Sequence, residues 1–213
     1  MHRIIDMNTW KRKPQFDFFK EYDDPFFNIC SNVSFKKCHD YAKEKNRSIF
    51  LATLFSSLKA ANSIEEFRCR IVDDQAVIYD VIHAGSTILN EDETFSFCYF
   101  DYFPEFDDFL TNAQQILERN RKQRGLDPQD HRTDLVYYSL IPWISFTGIN
   151  HARRFNSGES IPKIVFGKFS ISNDDLMLPV SIEAHHSFVD GLHVAKYLDL
   201  FQKYLSHPEE WLT

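Results

Sequence analysis

The 213-residue chain is poor in the features that define several large protein classes. Its 6 Gly and 8 Pro are scattered, with no linker, low-complexity tract or internal repeat. One compact domain over residues 1–213 is therefore the expectation. No stretch reaches the roughly 18 consecutive apolar residues needed to cross a bilayer, so no membrane partner is expected. The opening run Met1-His2-Arg3-Ile4-Ile5-Asp6 turns polar within a few residues and lacks a signal-peptide core, so the expected location is the cytoplasm. Basic residues form no stripe and the formal net charge is −7, so no nucleic-acid partner is expected. The four cysteines, Cys30, Cys38, Cys69 and Cys98, make no C-x-x-C pair and have no metal-spaced His beside them. They read as free cytoplasmic thiols, with Cys30 and Cys98 as small core residues in apolar runs. There is no G-x-G-x-x-G, no Walker loop and no G-x-S-x-G elbow.

Aromatic residues are abundant, at 15%, with 21 Phe. A Phe excess lines apolar pockets or subunit interfaces, or simply fills a core. The hydrophobic fraction of 43% allows a sizeable core. Periodicity predicts helices over Phe35 to Glu44, with Ser34 as N-cap, over Ile49 to Asn62, from Pro104 to about Arg121, and over Leu192 to Leu205. Phe67 to Val72 and Ala76 to Val81 alternate with period two around Asp73-Asp74, which predicts a hairpin. Thr94 to Tyr102, Leu135 to Leu140, Lys163 to Ser170 and Leu176 to Ala184 read as strands, and Asn120 to Thr133 reads as a polar loop. This order makes no βαβ repeat. It implies an α+β fold with a mixed β-sheet covered by helices.

The segment most suited to chemistry is His185-His186-Ser187-Phe188-Val189-Asp190-Gly191-Leu192-His193, between a strand and a helix. A His that ends a strand beside Asp-Gly is presented rather than buried, and imidazole is the side chain best matched to proton transfer near neutral pH. Asp190 either caps the following helix or pairs with a cation. A zinc site from His185, His186, Asp190 and His193 is disfavoured, because adjacent strand residues point to opposite faces. A Cys–His pair with Cys30 or Cys98 has no local signature. His39, His83, His131 and His151 read as hydrogen-bonded structural residues.

Several ordered motifs share one resemblance. They are Trp10-Lys11-Arg12-Lys13-Pro14-Gln15-Phe16, Glu66-Phe67-Arg68 followed by Val77-Ile78-Tyr79-Asp80, and Glu93-Thr94-Phe95-Ser96. Ser139-x-x-Pro142-Trp143 with Ser145-Phe146-Thr147, Gly167-Lys168 and the His-His run complete the set. Together they resemble the chloramphenicol acetyltransferase family of the coenzyme A-dependent acyltransferases, over nearly the whole chain. The resemblance implies direct acetyl transfer from acetyl-coenzyme A to a hydroxyl of a small acceptor, chloramphenicol first, with no metal. It implies a homotrimer with each site shared between neighbouring subunits. His186 would be the general base, acting through an unusual imidazole tautomer, with His185 a structural neighbour. Asp190 would anchor the loop through a bidentate pair with Arg12, and Ser139 would stabilise the oxyanion. The other reading of Ser139 is a strand residue whose hydroxyl bonds backbone. Trp143, Lys168 and Phe169 would lie along the coenzyme A tunnel. Phe18 and Phe19, with Phe26-Phe27 and Val165, would lie near the acceptor.

The chain departs from the family's usual pattern at Glu183 (usually Gln), Leu192 (Phe or Tyr), Val189 (often Cys) and Val165 (a Thr that helps hold a water). These positions lie around the acceptor and behind the base, so the acceptor is where the chain is expected to differ. Two other readings remain open: a binding protein that kept the fold, and an acyltransferase acting on a carrier-bound acyl group.

Overall fold

The computed structural model describes residues 1–120, 126–129, 131–153 and 158–213. The chain runs β1 (His2–Ile4), α1 (Lys13–Phe19), β2 (Phe26–Ser34), α2 (Lys36–Glu44), α3 (Ile49–Asn62), β3 (Cys69–Val72), β4 (Gln75–Tyr79), β5 (His83–Leu89) and β6 (Phe95–Phe100). It continues through α4 (Phe106–Asn120), β7 (Leu135–Ile141), β8 (Lys163–Gly167), β9 (Ser170–Ser172), β10 (Asp175–His185) and α5 (Gly191–Ser206). A seven-stranded sheet has the order β2-β10-β8-β7-β5-β6, with β9 also paired to β10, and a three-stranded sheet has the order β1-β4-β3. β7 runs parallel to β5 and β8, while the other pairs are antiparallel. The sheet is mixed and helix-covered, as the periodicity predicts.

The helices pack on one face of the large sheet. Ile29, Ile182, Ile164 and Tyr138 lie in one row across β2, β10, β8 and β7, and they join the core. α3 is apolar almost all round and lies in the middle of that core. Its buried Thr53 and Ser56 are tolerated because each hydroxyl donates to the carbonyl one turn back, at 2.7 and 2.9 Å. Ser48 caps its start by accepting from the Leu51 amide. The fully buried Arg70 joins the two sheets by donating to the carbonyls of Phe67, Cys69, Thr133 and Leu135. Burial lowers its pKa to about 10, which leaves it charged at neutral pH.

Several sequence expectations need correction. β1, α1, β2 and β5 are additional elements, and Glu65–Arg68 is a 3-10 turn, so the strand begins at Cys69. Ser34 ends β2, and the N-cap of α2 is Phe35, which makes no side-chain capping bond. α4 starts at Phe106, two residues after Pro104. Of the expected loop 120–133, residues 121–125 and 130 lie outside the described residues. The expected strand Lys163 to Ser170 is two strands. Three residues, Gly167 to Phe169, face two, Leu178 and Pro179, between the paired stretches. Proline has no N–H to give a ladder, and the chain bulges there. The amide of Lys168 turns away and donates to the Ile144 carbonyl at 2.8 Å. A Cβ on Gly167 would come within 2.8 Å of both Phe146 and Pro179, so this glycine seats the connection after β7 against the sheet.

The hairpin at Asp73-Asp74 forms as predicted, both residues adopting positive φ, 48° and 61°. The four cysteines are free thiols, three buried and Cys30 half-buried. Many of the phenylalanines fill the core, including Phe55, Phe67 and Phe201. Phe67 has no exposed surface and stacks on Tyr197 at 5.2 Å. Phe67→Ala should therefore cost about 3–5 kcal/mol, read as a lowered unfolding midpoint. A loss below about 1 kcal/mol would mean this cluster does not hold the small sheet to the helices.

Candidate active site

β10 ends at His185, and the next five residues turn into α5. The two histidines part there. His185 is buried, meets Phe26 and Phe188 at 5.0 and 5.8 Å, and accepts the Ser187 amide on Nδ1 at 3.2 Å. Burial pushes its pKa down to about 4. This ring is neutral and structural. His186 is half-buried and lies flat on Phe19, with centroids 4.0 Å apart and planes 6° apart, while Phe27 tilts against it at 4.6 Å. Its amide donates to the Pro25 carbonyl at 2.7 Å.

Nδ1 of His186 lies 3.1 Å from the Val189 carbonyl oxygen. A carbonyl only accepts, so the contact places the proton on Nδ1 and leaves Nε2 as the lone-pair nitrogen. A turn within the loop thus selects the Nδ1–H tautomer and leaves Nε2 able to accept a proton.

That turn is held from the other end of the chain. Trp10 and Phe16 pack on Phe188, at 6.1 and 5.5 Å, and carry Arg12 to the loop. Arg12 Nη1 donates to Asp190 at 2.7 Å, Nη2 to the His186 carbonyl at 3.2 Å, and Nε to the Ser187 carbonyl at 3.4 Å. The expected bidentate pair is therefore corrected. The guanidinium fork spreads over three oxygens, because the turn presents two carbonyls beside the carboxylate. Asp190 also caps α5 by accepting the Leu192 amide, while its own amide donates to His193 Nδ1 at 3.1 Å. Nε2 of His193 then faces Glu66 at 3.2 Å. Burial alone would raise the Asp190 carboxyl, but Arg12, His193 and the Leu192 amide together hold it below its usual value. The His193 bond does the same for Glu66 against partial burial. The sequence reading missed the Val189 carbonyl, His193 and Glu66. Of these, His193 had a local signal, because Asp190 and a polar N3 residue make a capping box.

Ser139 lies elsewhere. In register, Cys30, Ser181, Val165 and Ser139 form one row across β2, β10, β8 and β7, on the face away from the helices. Asn28 donates to Ser181 at 2.7 Å, and Val165 is fully buried between Ser181 and Ser139. Ser139 is half-buried and its hydroxyl makes no hydrogen bond among the described residues. His186 lies one residue past the end of β10 and five residues from Ser181, so strand rise and spacing put it roughly 19 Å from Ser139 in the same chain. One chain does not bring these two residues together.

Phe18 is 59% exposed and packs with Phe19 and Tyr22 beside His186. Trp143 is 60% exposed, and the Lys168–Ile144 bond brings its segment beside Lys168. Phe169 leans on Phe35 and His39, at 6.0 and 5.5 Å. Leu192 lies exposed on the first turn of α5. Glu183 is buried against Arg153, a partner no local sequence spacing signals. No described helix is long and apolar enough to cross a membrane.

A family model described as chloramphenicol acetyltransferase matches residues 1–202. The chain is 28% identical to the chloramphenicol acetyltransferase of Bacillus pumilus, over 100% of this chain and 97% of that protein. It is 24% identical to chloramphenicol acetyltransferase 3 of Escherichia coli, over 93% of this chain and 94% of that protein. Among solved structures, a chloramphenicol acetyltransferase superposes with a TM-score of 0.90 at 32% identity, covering 96% of this chain and 100% of its own. A probable dihydrolipoamide acetyltransferase from Listeria monocytogenes shares the fold, with a TM-score of 0.65 at 13% identity, over 91% of this chain and 88% of its own.

The buried neutral His185 gives a pH signature. Its folded pKa lies below the free value, so the unfolded chain binds the extra proton first. Stability should fall as pH drops from 6.5 towards about 4, by on the order of 3 kcal/mol. His185→Gln should flatten that part of the unfolding-midpoint profile. An equal slope in both proteins would remove His185 as its cause.

Proposed function

The chain belongs to the chloramphenicol acetyltransferase family, and on that premise we propose that it transfers an acetyl group from acetyl-coenzyme A to a hydroxyl of a small acceptor, chloramphenicol first. The observation that carries the reading is the Nδ1 contact of His186 with the Val189 carbonyl, which leaves Nε2 free to take a proton. In the proposed step Nε2 accepts the proton of the acceptor hydroxyl as its oxygen adds to the thioester carbonyl. The Ser139 hydroxyl donates to the carbonyl oxygen as that oxygen gains charge. The C–S bond then breaks, and the proton on His186 passes to the departing thiolate. Arg12 and Asp190 hold the loop and do not touch the reacting atoms. The aromatic wall of Phe18, Phe19 and Phe27 suits an apolar acceptor, and the buried Val165, the register neighbour of Ser139, leaves no hydroxyl at that position to hold a water. Trp143, Lys168 and Phe169 offer exposed apolar surface and a cation for the coenzyme. When bound, acetyl-coenzyme A supplies the thioester.

The register separation of roughly 19 Å supports a site shared between copies, since no side chain spans that gap. We assign His186 and Ser139 of one site to neighbouring subunits of a homotrimer. Free thiols fit action in the cytoplasm. The departures from the family pattern at Val165 and Glu183 are the ground for the alternative of a binding protein that kept the fold. Glu183 has a paired partner in Arg153, which weakens that ground.

Thiol release from acetyl-coenzyme A, with chloramphenicol and a panel of other alcohols, tests the activity. His186→Ala should abolish it, and Ser139→Ala should lower kcat by about 10²–10³. Co-assembly of the two inactive variants in equal amounts should restore roughly a quarter of wild-type activity, because a shared site can draw one intact residue from each variant. No recovery in mixed trimers would contradict the shared site, and unchanged turnover in His186→Ala would sink the base.

A further inference from the structure

Beside the His186 loop lies a buried ion pair that the mechanism above does not use. Arg153, in the connection after β7, pairs through Nη2 with Glu183 Oε1 on β10, and the two side chains are only 9% and 7% exposed. The guanidinium lies over Phe26, 3.3 Å from its centroid, with Nε 3.9 Å from Asp24. Phe26 is the register partner of His185 and touches it edge-on. Its neighbours hold the base directly: the Pro25 carbonyl takes the His186 amide, and Phe27 leans on the imidazole. Arg153 therefore rests on the middle residue of a three-residue stretch that grips both histidines. Glu183 sits on the strand that delivers them, three residues before His186.

We propose that Arg153 and Glu183 are a positioning pair that fixes residues 24–27 against β10 and so sets the placement of His186. The proposal rests on the acetyltransferase reading. A buried ion pair adds little stability over an apolar one, but losing one partner strands a charge in the interior. The pair therefore acts as a unit. Nη1 and Nη2 of Arg153 make no directed hydrogen bond among the described residues. Charge and contact with the face of the Phe26 ring hold the guanidinium, and a lysine reproduces the charge without the planar group.

The groups facing Glu183 are Arg153, Lys163 on β8, Asp24 ahead of β2, Glu159 and the neutral His185. Burial already raises the Glu183 carboxyl against the pull of Arg153 and Lys163. Without Arg153 it titrates higher still. The neutral acid is tolerated at low pH, and the stranded carboxylate forms as pH rises.

The test compares wild type, R153Q, E183Q and R153Q/E183Q, with kcat and KM measured from about pH 6 to about pH 9 beside unfolding midpoints. Each single variant should lose roughly 10- to 100-fold in kcat/KM through a misplaced base. R153Q should lose more as pH rises, and the double variant should return to within about threefold of wild type with no added pH dependence. Additive losses in the double variant, or an R153Q profile parallel to wild type, overturn the proposal. Midpoints that shift while kcat/KM and its pH profile do not would overturn it too, leaving the pair purely structural. Should R153Q fail to fold, R153K carries the test, with about a tenfold loss in kcat expected at a retained midpoint and an unchanged kcat refuting the proposal. If the wild type itself acetylates no alcohol, the acetyltransferase reading fails, and the placement of His186 is read instead from its imidazole ¹⁵N–¹H shifts, which should move in the singles and return in the double; shifts that stay put in the singles overturn the proposal.

Discussion

The site hangs on one guanidinium. Arg12, at the N-cap of α1, donates at once to the Asp190 carboxylate and to the carbonyls of His186 and Ser187. Backbone carbonyls in a tight turn need donors, and a planar fork with five N–H groups serves three acceptors where a lysine would serve fewer. With those carbonyls satisfied, the turn keeps the Val189 carbonyl against His186 Nδ1 and so fixes the tautomer. Asp190 then has two tasks, anchor for Arg12 and N-cap for α5, and through His193 it connects to Glu66 in the 3-10 turn that leads into β3. That chain of polar contacts ties the loop to the entry of the small sheet.

The sheet imposes the second constraint. In-register pairing places Ser139, Val165, Ser181 and Cys30 in one row, so a change at any of them changes the same face. It also keeps Ser139 away from His186 within a chain. On the proposed reading, a site using both draws His186 and Ser139 from neighbouring copies and so joins two different surfaces of the chain.

Residues with strong local signals were legible in the sequence. The buried helix Ile49–Asn62, the Asp73-Asp74 hairpin and the strand ending at the histidines all follow from periodicity or turn chemistry. Three kinds of feature were not. β1, with three residues, and α1, with seven, carry too little period to read. β2 is half-buried on both faces and mixes Asn28 and Asn32 with apolar residues, so it does not alternate cleanly. The break between β8 and β9 depends on Pro179 in a neighbouring strand, which no window on β8 contains. At the site, the His-His-x-x-x-Asp-Gly run drew attention to His186 by itself. Its pairing with Arg12 needed the family pattern, because 178 residues separate Arg12 from Asp190. Arg153 had neither kind of signal. Glu183 looked like a lesion in the pattern and is instead half of a buried pair.

The proton position on His186 decides whether Nε2 can accept from an acceptor hydroxyl. Neutron diffraction at neutral pH, or long-range ¹⁵N–¹H spectra of the imidazoles, reads this directly. The account predicts hydrogen on Nδ1, directed at the Val189 carbonyl, and a bare Nε2. Hydrogen on Nε2 with Nδ1 bare would contradict it, because the nitrogen assigned to take the acceptor's proton would already hold one.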